Sequence, residues 1–125
     1  MEYHQPDPNW VAYAKEIHFS FPEPFAARLF LEKVKLFLMD LTQAIQKEKI
    51  LLIGHIKALI KTDSREYCFM SVTTFDQIPD CTGKMIQAIQ VATVTLNVIV
   101  GGVEESQLGP IVDKEIWGLQ STLTL

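Results

Sequence analysis

The chain has 125 residues, 48% hydrophobic and 21% charged, which suits one domain spanning 1–125 and excludes a disordered or collagen-like polymer. Eleven Lys and Arg against fifteen Asp and Glu leave a net charge of -4, so a generic nucleic-acid coat, which has to be basic, is disfavoured and nucleic acid is an unlikely partner. No window holds about 18 consecutive uncharged apolar residues, which argues against a spanning helix and a membrane role.

Residues 1–13, with Pro6, Asp7 and Pro8, show no periodicity and predict an irregular lead-in. From Lys15 the pattern changes. Ile17, Phe19 and Phe21 alternate with Glu16, His18 and Ser20, the period of a half-buried strand. Pro22-Glu23-Pro24 should break it, with Pro24 in the first turn of a helix. Phe30, Val34, Phe37, Leu41 and Ile45 then mark one face of a long helix ending near Lys49. KILLIGHIKALIKT predicts a second strand, Asp63-Ser64-Arg65 a turn, and EYCFMSVTTF a third strand joined to the second as a hairpin.

Residues 76–82 read as a loop ending in capping residues, after which KMIQAIQVA predicts a helix. TVTLNVIV then switches to β-branched residues at period two and predicts a fourth strand. A single buried helix over 84–100 is the alternative, because a continuous apolar run cannot be typed by periodicity alone. Gly101-Gly102 ends the element, and the tail 104–125 should hold only short helical pieces around Gly109-Pro110.

The order β-α-β-β-α-β over 14–103 resembles the split βαβ, or ferredoxin-like, arrangement, as a topology and not as a sequence match. It implies an α+β two-layer sandwich: a four-stranded antiparallel sheet with both helices on one side and the other face open. Alternation then places His18, Ser20, His55, Lys57, Lys61, Tyr67, Phe69, Ser71, Thr93, Thr95 and Asn97 on the open face, with Leu59 among them. Cys68, Met70 and Val72 should face the helices. A one-residue slip would reverse any of these sets, and His55 is the position most exposed to it.

Motifs for catalysis are missing: no GxxxxGK[ST], GxGxxG, HExxH, GxSxG or CxxC occurs. Thr82, Gly83 and Lys84 suggest a helix start whose N–H groups could attract an anion, although a helix start that happens to carry a lysine explains them equally. A metal site would need His18 and His55 to converge, with Cys68 on the wrong face. An enzyme would use His18 or His55 as base, Ser20 or Ser71 as nucleophile and Asp76 or Asp80 as orienting acid. Nothing in the spacing holds those groups together, and a wet surface explains them as well.

Cys68 and Cys81 are too few for a disulfide framework, and MEYHQPDPNW lacks the pattern of a signal peptide, so a reduced cytoplasmic protein is expected. The resulting expectation is a non-enzymatic, homo-oligomeric small-ligand-binding or regulatory module. Its ligand cleft would use His18, Ser20, His55, Lys57, Tyr67, Phe69, Thr95 and Asn97 to hold a small anionic molecule of unknown identity. The alternatives are a small enzyme on the same face and an accessory subunit docking on a larger protein. The tail, with Ile111, Ile116 and Trp117, could instead fold over that face.

Overall fold

A computed structural model describes residues 10–48 and 52–123. The elements are β1 (Trp10–Phe25), α1 (Ala27–Lys47), β2 (Leu52–Thr62), β3 (Tyr67–Val72), β4 (Asp80–Lys84), β5 (Ile89–Gly101) and α2 (Glu105–Leu123). They form one five-stranded sheet in the order β1-β5-β2-β3-β4, with antiparallel neighbours throughout. β1 and β2 therefore run parallel, joined by α1, with β5 between them.

The four-stranded ferredoxin-like expectation is corrected by this topology. No helix separates the third strand from the last. The segment read as a helix after Lys84 is instead a bend followed by β5, and β4 is an added strand at the sheet edge. The misreading has a physical source. Met85, Ile89 and Ala92 are buried at helix-like spacings of four and three. The last interval arises because the β1–β5 pairing is irregular there, shifting between Ser20↔Val91 and Phe25↔Ile89. From Ala92 to Val100 the buried residues alternate as a strand requires.

The tail is likewise one 19-residue helix and not short pieces. Gln107 Oε1 accepts the Glu104 N–H at 3.1 Å, the reach-back half of a capping box, and the Gln107 and Leu108 N–H groups bond the Glu104 carbonyl. Pro110 lies inside this helix and withholds the N–H that would meet the Ser106 carbonyl. Buried Leu108, Val112, Ile116, Leu119 and Leu123 hold the helix down at spacings of four, four, three and four. At the other end, β1 begins at Trp10 and runs through Pro22 and Pro24, so Pro24 does not open α1. Both prolines fall in the stretch of this edge strand between Ser20 and Phe25 where the pairing to β5 is interrupted, so their missing N–H groups cost no ladder bond. The rest of the expected lead-in, 1–9, lies outside the described residues.

Both helices cover one sheet face. Ile17, Phe19, Ile56, Ala58, Ile60, Cys68, Met70, Val94, Leu96 and Val98 point inward and are buried with the apolar stripe of α1. Phe19 and Phe30 meet edge-to-face at 5.4 Å, and Phe21 and Phe25 stack at 4.7 Å, which seats the start of α1 on the end of β1. α2 sits over the β1 side. Its Asp113 accepts a hydrogen bond from the Tyr13 hydroxyl and pairs with Lys15 at 3.5 Å. Tyr13 and Lys15 lie opposite Val98 and Leu96, on the inner face. The C-terminal segment therefore completes the helix layer, and among the described residues no helix covers the outer face.

Candidate outer-face binding site

The outer face is a grid set by strand register. One row runs Ala14, Asn97, Lys57, Ser71, Asp80 across β1, β5, β2, β3 and β4. The next runs Glu16, Thr95, Leu59, Phe69, Thr82, and the next His18, Thr93, Lys61, Tyr67, Lys84. All eight residues expected to line a cleft lie on this face, and His55 keeps its expected side because the alternation runs unbroken from His55 to Thr62, the register shift falling before it, between Ile53 and His55.

They do not all come together. Lys57, Tyr67, Phe69, Thr95 and Asn97 cluster on β5, β2 and β3. His18 and Ser20 lie midway along β1, separated from the β2 and β3 residues by β5. His55 is at the far end of β2, opposite Ile99, whereas His18 is opposite Thr93. Six residues of extended strand separate those partners, about 20 Å. A metal shared by His18 and His55, or a base pair built from both, is ruled out by that distance. Cys68 faces inward, as expected, and among the described residues no cluster of three or more His, Cys, Asp or Glu could hold a metal ion.

The local chemistry is otherwise. His18 contacts Thr93 Oγ1 at 3.3 Å through Nδ1 and Glu16 at 3.2 Å through Nε2. Asp80 accepts from Gln77 Nε2 at 3.0 Å. Thus both carboxylates of the grid have partners. Lys57 instead lies over the Phe69 ring, 5.9 Å from its centroid. Among the described residues Lys57, Lys61 and Lys84 have no ion-pair partner. Burial first, and then the nearby Lys57 charge, hold the His55 imidazole below its ordinary pKa. Tyr67 is 54% exposed and stands between Lys61 and Lys84 in register.

The reading of Thr82, Gly83 and Lys84 as an anion-attracting helix start is corrected: they close β4. Lys84 enters the candidate site through its side chain, on the opposite rim of Tyr67 from Lys61. The signal available in the sequence was the i, i+2 alternation of Asp80, Thr82 and Lys84, which is a strand period.

The neighbouring turns anchor the grid. The Glu66 carboxylate accepts the Ile86 and Gln87 N–H groups at 3.1 and 2.8 Å. Asp63 accepts the Val91 and Gln90 N–H groups at 3.2 and 3.3 Å while its own N–H donates to the Val91 carbonyl. These bonds tie the β2–β3 turn to the β4–β5 bend. The backbone bonds, that from Val91 foremost, hold the Asp63 carboxyl below its ordinary pKa.

A second concave region lies between α1 and α2, with adjoining cavities of about 280 and 450 Å³ that share Asp40 and Glu115. Its charges balance: Lys33, Lys47 and Lys114 against Asp40, Glu48 and Glu115. It has no preference for one sign of ligand.

No protein-family model matches the chain, and no curated protein sequence matches it. Among solved structures, the chain is similar to a Zn(II)-bound triple mutant of the YjiA GTPase, with a TM-score of 0.48 and 9% identity over 87% of this chain. The chain spans 30% of that protein's length. A likeness this slight establishes neither the fold nor an activity.

Proposed function

We propose that this protein is a binding or regulatory module whose outer sheet face holds a small anionic ligand with an aromatic part. The observation that carries this reading is the group of three lysines, Lys57, Lys61 and Lys84, that have no ion-pair partner among the described residues and are set around Phe69 and Tyr67 on a chain of net charge -4. The ammonium groups supply attraction to an anion, and the rings supply a surface for a planar group. Asn97 and Thr95, beside Lys57 and Leu59, add donors and acceptors for orientation. The two free thiols fit a reducing compartment, and we place the protein in the cytoplasm. No helix among the described residues is long and apolar enough to cross a membrane.

Calorimetric titration with adenosine triphosphate, phenyl phosphate and inorganic phosphate tests the reading. The aromatic phosphates should bind more tightly than phosphate alone, and binding should weaken as salt rises. The double variant Lys57→Glu, Lys61→Glu should lose at least about tenfold in affinity, or 1.4 kcal/mol. Equal binding by wild type and variant would remove the outer face from consideration.

A second reading is self-association through the same face. Trp10 is 47% and Val91 48% exposed there, and a second copy would cover both together with Tyr67. Light-scattering mass across a tenfold dilution separates the two readings: a dimer whose formation is blocked by Lys57→Glu assigns the face to the second copy.

A further inference from the structure

The chain contains two cysteines, and they lie on adjacent strands. In the β3–β4 register Cys68 faces Gly83 and Met70 faces Cys81, which makes Cys68 and Cys81 diagonal neighbours. Cys68 and Met70 are buried on the inner face, so Cys81, opposite Met70, projects to the same side. Gly83, opposite Cys68, has no side chain to stand between the sulfurs. Cys68 is buried and Cys81 exposed.

We propose that Cys68 and Cys81 are an oxidisable pair that closes a reversible disulfide between β3 and β4, with glutathione disulfide as the oxidant. Diagonal partners across antiparallel strands have Cα atoms about 7–8 Å apart, and a disulfide needs about 4.4–6.8 Å. Closure therefore draws the strands together by on the order of 1 Å. β4 can supply that movement, because it is a five-residue edge strand with every residue exposed.

The exposed Cys81 reacts first. Its thiolate attacks one sulfur of glutathione disulfide, that S–S bond breaks, and one glutathione leaves as thiolate. Cys68 then attacks the Cys81 sulfur of the mixed disulfide and displaces the second glutathione. The two cysteine protons end on the two glutathione thiolates, and two electrons pass from the protein to the oxidant. Before reaction, burial first, then the hydrogen bond and charge of Cys81, push the Cys68 thiol up to about 12, so it does not start the exchange. The Cys81 charge that opposes the Cys68 thiolate is absent once that sulfur is held in a mixed disulfide, while burial still acts on Cys68. The bond closes the chain from 68 to 81 into a loop and fixes the strand that carries Thr82 and Lys84 beside Phe69 and Tyr67.

The test is intact-mass analysis of the full chain after incubation with a glutathione disulfide and glutathione buffer, followed by alkylation under denaturing conditions. The expected product is a monomer lighter by two hydrogens that takes up no label, melts a few degrees higher, and regains both labels after dithiothreitol. The exposed-site variant Cys81→Ser should show neither the label protection nor the rise in melting temperature. A lasting glutathione adduct on Cys81 with Cys68 still alkylated, a disulfide-linked dimer, or an unreacted dithiol would each overturn the proposal. None of these readouts uses a ligand, so the result stands apart from the binding reading.

Discussion

Single residues at the turns decide how firmly the grid is held. Gly83 has φ +109°, and a Cβ there would lie 2.6 Å from the Tyr67 carbonyl oxygen. Backbone cannot yield as a side-chain tip would, so Gly83→Ala should cost about 1–3 kcal/mol, read as a lower midpoint in urea. Asp63 acts through its charge. Its folded pKa lies below the ordinary carboxylate value, so its contribution is complete above about pH 4 and is lost as pH falls through the depressed folded value. Melting temperature against pH should show this as an acid limb, and Asp63→Asn should lower the melt at neutral pH and flatten that limb. An acid limb of equal steepness in the variant would assign it to other carboxylates. The same scale explains which site residues could be foreseen. Strict alternation in β2, β3 and the later part of β5 put Lys57, Tyr67, Phe69, Thr95 and Asn97 on one face from the sequence, because a period of two survives wherever the ladder is regular. Whether His18 and His55 converge was not legible, because distance along a neighbouring strand depends on pairing that the local pattern does not encode.

Elements were legible where their pattern was long and pure. The apolar stripe of α1 and the β2–β3 hairpin follow from periodicity and turn chemistry, and both are present. The failures sit where a second constraint interferes. An irregular β1–β5 pairing imitates a helix between Met85 and Ala92, and β4 carries no buried residue to mark it as a strand. Gly109-Pro110 signals a break, yet α2 continues because its five buried apolar residues outweigh one withheld hydrogen bond. That account assigns α2 a structural role. Leu108→Ala, at a fully buried position in its first turn, should cost about 2–5 kcal/mol in chemical denaturation. A loss below about 1 kcal/mol would mean that α2 is not part of the cooperative core.

At the scale of the molecule the fold divides labour between two faces. One side of the sheet is packed by both helices, and the other presents three lysines, two exposed or half-buried rings and a line of polar strand residues. The groove between the helices, with balanced charges, offers no comparable preference. The central claim is that the outer face is the binding surface. Its most direct test is a titration of isotopically labelled protein with adenosine triphosphate, followed by two-dimensional amide NMR. The account predicts saturable shifts at Lys57, Lys61, Tyr67, Phe69 and Lys84, with the α1–α2 groove unchanged. Shifts centred on Asp40 and Glu115, or no saturable shift anywhere, would contradict it.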